Sequence, residues 1–177
     1  MVYPLPKHLK KIFIVDKEET DSSNLIGKIR CTCGCEEFYI DTFSSYYGED
    51  KCISFSEDVE GYSLLVRAEC ACCKKKWTIF DFSKHGFPGF VFGEGTAVNE
   101  NEELIRYSCN KCNQKVFTID VCIQPEDKEQ FIDENVIVHP DKFSENDYVE
   151  AFDWIVISLD CKKCNHKNED WLNLELS

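Results

Sequence analysis

Four short-spaced cysteine pairs constrain this chain more than any other feature: CTC at 31–33, CACC at 70–73, CNKC at 109–112 and CKKC at 161–164. Together they supply eight thiols, the number that two tetrahedral metal sites need. One CxxC is a weak signal, because redox dithiols share it; four pairs in order along one chain are a strong one. Thiols two or three positions apart also suit a metal better than a disulfide network. The spacing predicts Cys31, Cys33, Cys70 and Cys73 at a first site and Cys109, Cys112, Cys161 and Cys164 at a second. The first site has alternatives, since Cys33-Gly34-Cys35 is also CxC and Cys72 could replace Cys73. Knuckles of different halves sharing one ion is a further arrangement. The expected ions are two structural Zn²⁺ per chain, with iron as the alternative, because four thiolates also make an iron site.

Composition narrows the class. At 177 residues and 43% hydrophobic content, the chain can build one ordinary domain or two small ones. Its formal charge is −13. Four thiolates around Zn²⁺ carry −2, so two such sites would take the total to about −17. A chain of this charge repels nucleic acid and anionic membranes and favours a basic protein as partner. The start, MVYPLPKHLKKIFIV, has an apolar run too short for a secretory signal. No stretch approaches the roughly 20 apolar residues that span a bilayer. The expected location is cytoplasmic.

The chain repeats itself around the pairs. An Asp falls eight positions after the last cysteine of three pairs, as Asp41, Asp81 and Asp120, and Phe38 and Phe117 each stand five positions after theirs. The fourth pair breaks the pattern with Leu172, after which Leu172, Leu174 and Leu176 alternate. Periodicity near the pairs is two: Ile155, Ile157 and Leu159 run into Cys161, and Phe117, Ile119, Val121 and Ile123 run out from Cys112. YSLLVRAE-CACC-KKKWTIFDF and DWIVISLD-CKKC-NHKNEDWLNLEL read as hairpins with the thiols in the turn. The residue after each knuckle needs a positive φ, which suits Gly34, Asn113 and Asn165 and fits Lys74 poorly.

On these residues, over roughly 29–82 and 104–176, the chain resembles the zinc ribbon, or rubredoxin-like, group, in which two cysteine knuckles face each other across a small three-stranded sheet. The resemblance implies structural metal sites, here duplicated. The chain departs from the group in its first knuckle, CxCG in place of CxxCG, and in gaps of 36 and 48 residues between paired knuckles. The expected fold is mostly β, a small α+β protein of two such units with short helices in insertions. Its predicted organisation is an N-terminal segment 1–28, a first unit 29–85, a Gly-rich polar linker 86–103 and a second unit 104–177. An acidic insertion at 124–153 carries predicted helices near 126–134 and 144–151, and 44–61 is the matching excursion of the first unit. Family-specific function is expected in these insertions.

Function is less legible than architecture. No HExxH, GxSxG or phosphate loop accompanies the closed all-cysteine sites, so no enzyme is expected. Tyr46, Tyr47, Phe55 and Tyr62 in one excursion, and Phe131, Phe143, Tyr148 and Phe152 in the other, sit among carboxylates. They either cap the small sheets or form a contact surface for a basic protein. One concrete form is an immunity protein that neutralises a basic nuclease toxin. The alternative is a transcription- or RNA-associated zinc ribbon that binds nucleic acid, whose support is Lys74, Lys75 and Lys76. Cys52 and Cys122 lack partners and read as small packed thiols. His8, His85, His139 and His166 read as surface residues, although His166, two residues beyond Cys164, could donate a hydrogen bond to a thiolate.

Overall fold

The computed structural model describes residues 4–21, 23–43, 64–93 and 104–176. Among the described residues nine strands form one antiparallel sheet: β1 (Phe13–Val15), β2 (Leu25–Ile29), β3 (Phe38–Phe43), β4 (Leu65–Cys70), β5 (Lys76–Asp81), β6 (Leu104–Arg106), β7 (Phe117–Gln124), β8 (Trp154–Cys161) and β9 (Lys167–Glu175). The fold is mostly β, as the period-two patterning requires. Inward residues of β7 (Phe117, Ile119, Val121, Ile123) and β8 (Ile155, Ile157, Leu159) are all buried, while the residues between them are half-exposed. No helix among the described residues is long and apolar enough to cross a membrane.

Each half builds a three-stranded meander, β3-β4-β5 and β7-β8-β9. The halves meet where Phe38 at the start of β3 pairs with Phe117 at the start of β7. These residues occupy the same position in the repeat, so the pair marks an internal two-fold relation. The entry strands are exchanged across it. β2, which leads into the first knuckle, pairs with β7 of the second half, whereas β6, which leads into the third knuckle, at Cys109–Cys112, pairs with β3 of the first half. Each half therefore completes the other's sheet, and one core runs through both, from Ile29 and Phe38 to Ile157 and Trp171. Gly27 is required in β2 because a Cβ there would run into the Ile14 carbonyl and the Phe13 ring on β1.

Both hairpins that carry a knuckle break register four residues before it, at Val66 and at Ile157. The break in β9 is the longer one, since Ile157 pairs with Leu172 and Leu159 with Asn168. That extra length places Leu172 on the buried face where the other repeats have Asp.

The insertion between β7 and β8 folds into short turns of helix. Helix α1 (Lys128–Phe131) starts at Asp127, whose carboxylate accepts from the Glu129 and Gln130 amides at 2.9 Å each. It continues into a π-helical turn at Ile132–Val136, and a 3₁₀ turn follows at Asp147–Val149, close to the helices predicted from sequence. Phe131, Phe143 and Ala151 pack with Val91 into a second small core. Phe152 joins the main core, and Tyr148 is half-buried against the second. Phe131, Phe143 and Phe152 are thus packing residues, as the capping alternative has it. Tyr46, Tyr47, Phe55 and Tyr62, with Cys52, lie outside the described residues.

Candidate metal centres

The knuckles are built by backbone hydrogen bonding before any sulfur is considered. In the three CxxC knuckles the amide of the first cysteine donates to the carbonyl five residues on: Cys70 to Lys75, Cys109 to Gln114 and Cys161 to His166, at 2.9, 2.7 and 3.0 Å. The amide four residues on returns the bond, from Lys74, Asn113 and Asn165 to the same cysteines' carbonyls. The first knuckle keeps this form with one residue fewer: Cys31 donates to the Cys35 carbonyl and Gly34 donates back to Cys31, both at 2.8 Å. Its CxC spacing is therefore a one-residue deletion in a turn of the same type. The residue after the second cysteine has positive φ in all four, 90° at Gly34, 62° at Lys74, 58° at Asn113 and 56° at Asn165. Lys74, the poor fit by residue type, adopts the conformation regardless; its Nζ donates to the Ala71 carbonyl at 2.9 Å and lies 4.8 Å from the Tyr39 ring centre.

These turns gather the eight predicted cysteines into two groups of four. Within each group, Cys31, Cys33, Cys70 and Cys73 or Cys109, Cys112, Cys161 and Cys164, all sulfurs lie within 4.8 Å of one another. The sulfur separations are 3.5 Å for Cys31–Cys73, 3.6 Å for Cys33–Cys70, 3.7 Å for Cys109–Cys164 and 3.5 Å for Cys112–Cys161. Four sulfurs about 2.3 Å from a central Zn²⁺ would stand about 3.8 Å apart, so both groups have the size of a tetrahedral thiolate site. Both groups could hold metal ions. The cysteines are not crossed between halves, although the strands are. Phe38 pairs with Cys70 on one side and Phe117 on the other, and Phe117 pairs with Cys161. At the usual strand spacing, this places the two centres on one row of the sheet, with Cys70 and Cys161 roughly 15 Å apart.

In each pair the first cysteine is buried, with exposures of 2% at Cys31, 0% at Cys70, 2% at Cys109 and 1% at Cys161. The second is exposed or half-exposed. Without a cation, one thiol per group takes the first negative charge. Burial pushes the Cys31 thiol up, but the Cys33 amide, the Trp77 indole and neighbouring thiols outweigh it and bring the pKa down to about 6. Cys161 falls to about 7, where the Cys164 and Lys163 amides outweigh burial. Cys70 resists, because burial and donation to Cys33 and Cys73 push its thiol up despite the Cys73 and Cys72 amides. The Gln114 amide favours the Cys112 thiolate, yet desolvation and donation to Cys161, Cys164 and Cys109 push its pKa up to about 12. A second and third thiolate so close together need a positive ion between them.

Residues around the centres fall differently from their sequence reading. Cys35 and Cys72, the alternatives at the first site, belong to neither group of four; their sulfurs face each other at 2.8 Å. Cys122 is a half-buried thiol whose sulfur lies 4.0 Å from Asn24 Oδ1, as a small packed thiol should be. His166 supports its knuckle through its carbonyl. His8 and His85 depart most from expectation. They are half-buried and stacked, ring centres 3.6 Å apart at an interplanar angle of 6°, with His8 Nε2 donating to the Ile79 carbonyl and His85 Nδ1 accepting from the Asp81 amide. Seventy-odd residues separate them in sequence, and no local pattern marks either.

A second site-like feature lies away from the centres. A cavity of about 750 Å³ opens between the β2 approach and the insertion, lined by Asp21, Glu126, Asp127, Gln130, Tyr148 and Asp153 among others. Burial, and the nearby carboxylate of Asp153, push the Glu126 carboxyl up to about 7. Comparison with protein families, curated proteins and solved structures finds no match to this chain.

Proposed function

We propose that this chain is a non-enzymatic binding module, held together by two structural Zn²⁺ ions in the cysteine groups, that recognises a basic protein. The closed four-thiol geometry supports the structural assignment: each group already has the four donors of a closed site, with none of the open positions that catalytic zinc keeps. Zn²⁺ is favoured over iron because the CxCG knuckle and long gaps only partly reproduce the compact paired knuckles of electron-transfer proteins.

The acidic cavity beside the insertion is the observation that carries the binding reading. The insertion at 124–153 holds ten carboxylates against two lysines, and four carboxylates, Asp21, Glu126, Asp127 and Asp153, line one groove. A Lys or Arg side chain entering it would stabilise the Glu126 carboxylate, which burial and the neighbouring Asp153 disfavour. Phe92, Ile137 and Val138, 65%, 66% and 60% exposed, follow residues of the second small core in sequence and offer apolar contact area. An immunity protein that blocks a basic nuclease has this character, since its acidity would speed association and mask the nuclease's nucleic-acid surface.

The test is titration of the zinc-loaded chain with cationic proteins, beginning with any basic nuclease encoded beside it, read by calorimetry and by nuclease inhibition at two salt concentrations. A one-to-one complex that weakens with salt and with Glu126→Gln supports the reading. No complex with any cationic partner, alongside salt-dependent retardation of RNA or DNA, would replace it with the nucleic-acid alternative.

A further inference from the structure

Six cysteines crowd the first centre, and two of them are left over when the group of four is complete. Cys35 and Cys72 are the pair. Their sulfurs lie 2.8 Å apart, inside ordinary sulfur contact and well below the roughly 3.8 Å that two ligands of one tetrahedral ion require. Backbone pairing holds them there independently of any metal. Phe38 pairs with Cys70, and the Ala71 amide donates to the Glu37 carbonyl at 2.9 Å, so the two segments still run antiparallel beyond the ends of β3 and β4. That continuation brings Cys72 diagonally across from Cys35. Cys72 is exposed and Cys35 half-buried, which gives a reagent access to one sulfur and shelters the other. The second centre carries no such pair, because Gln114 and Lys163 occupy the corresponding turn positions.

We propose that Cys35 and Cys72 form a thiol–disulfide exchange site beside the first metal centre, with low-molecular-weight disulfides as its substrate class. The Cys72 thiolate attacks one sulfur of the small disulfide, forming a mixed disulfide and releasing one small thiolate. The Cys35 thiolate then attacks the Cys72 sulfur, closing the Cys35–Cys72 bond and releasing the second. Two protein thiols are oxidised, one small disulfide is reduced to two thiols, and the two cysteine protons pass to those thiols. The bond joins the two knuckles of the first centre covalently, so the turns stay paired when the ion between them is lost. Exposed bonds of this kind are the readily reversible ones, which fits a site that opens again under reducing conditions. The proposal takes the eight grouped thiols as metal-held, and metal content is measured separately so that each idea can fail alone.

The experiment treats the zinc-loaded full chain with oxidised glutathione, blocks free thiols with N-ethylmaleimide, maps linkages by mass spectrometry and follows released zinc with a chromogenic chelator. The expected result is loss of two free thiols per chain, a linked pair of peptides carrying Cys35 and Cys72, and full retention of zinc. Cys72→Ser should abolish the linkage with zinc content unchanged, whereas Cys35→Ser should trap a mixed disulfide with glutathione on Cys72. The proposal is overturned if linkages first appear among the grouped cysteines with zinc release, or if untreated protein holds a third thiophilic ion on Cys35, Cys70 and Cys72. Failure to bind two ions at all would instead remove the metal reading, and would show in the zinc count before any oxidant is added.

Discussion

Arg106 and Asp41 face each other across the exchanged strands: the Arg106 guanidinium donates from Nε to Asp41 Oδ1 at 2.9 Å and from Nη2 to Oδ2 at 3.2 Å, and reaches Glu69 at 3.2 Å. Arg106 stands three residues before the third knuckle, and Asp41 eight after the first. The internal two-fold repeats the relation, since Lys28, three residues before the first knuckle, is paired in register with Asp120, eight after the third. The Asp seen in the sequence repeat is thus where each half receives a cation from the other's entry strand. Asp81 does a different job, accepting from the Ser83 hydroxyl at 2.7 Å and Lys84 Nζ at 2.8 Å in its own turn.

Removing Arg106 leaves the 9%-exposed Asp41 carboxylate without its main partner. Arg106→Ala should therefore cost about 2 kcal/mol in urea unfolding of the metal-loaded protein. Asp41→Asn in the same background should recover part of it. Lys28→Ala, at a longer-range contact, should cost under about 1 kcal/mol. Equal costs at the two positions would mean that the repeat does not transmit the bidentate geometry.

Strand exchange makes the halves interdependent. A single Cys164→Ser change should remove one ion per chain, and because β2 and β6 belong to the opposite halves' sheets, unfolding should remain one transition at lower temperature. Two resolved transitions by calorimetry, with the first half keeping its original melting point, would show independent units. Chelation of both ions should abolish most of the β signal in circular dichroism, each ion contributing on the order of 10 kcal/mol of apparent binding energy.

The four knuckles read well from sequence because everything that makes them is local: two thiols, a following residue with positive φ, and alternation on either side. What the strands pair with is not local. The pattern around Phe117–Ile123 announces a half-buried strand, but nothing in it says that Leu25–Ile29, some 95 residues earlier, lies alongside. Cys35 and Cys72 stayed interchangeable with their neighbours because a spacing of one residue cannot say which sulfur points inward. That choice is made by the ladder of Glu37 and Ala71.

Lys74 bears a larger conformational cost than Gly34, Asn113 and Asn165, since glycine is free of it and asparagine tolerates the left-handed region better. A left-handed non-glycine residue costs roughly 1–2 kcal/mol, offset here by the Ala71 hydrogen bond and the Tyr39 ring contact, together worth about 1 kcal/mol. Lys74→Gly should therefore be neutral to stabilising by about 0.5 kcal/mol, whereas Asn165→Val should destabilise by about 1–2 kcal/mol. Thermal melts of the two variants with zinc content held equal would check both; a destabilised Lys74→Gly would assign the lysine a larger role than its backbone suggests.

The stacked histidines give the fold an acid limit. Burial lowers both imidazoles, and the neighbouring His8 lowers His85 further, so that His8 sits at about 4 and His85 at about 3, while Asp81 pulls both up and Lys84 opposes it at His85. The unfolded chain binds protons at about 6.5, so between that value and the folded ones it binds more protons than the native state. Stability from the pair is complete above pH 6.5 and falls as pH drops toward 4 and 3. At pH 5 the loss should be about 3 kcal/mol for the pair, allowing for their partial exposure. The double variant His8→Gln/His85→Asn keeps a donor near Nε2 of His8 and an acceptor near Nδ1 of His85 while removing both titrations. Acid loss of metal from the eight thiols is common to both proteins and cancels in the comparison. Urea unfolding at pH 7 and pH 5 should show the variant losing about 3 kcal/mol less than the parent; equal losses would place the acid limit in the thiolate centres instead.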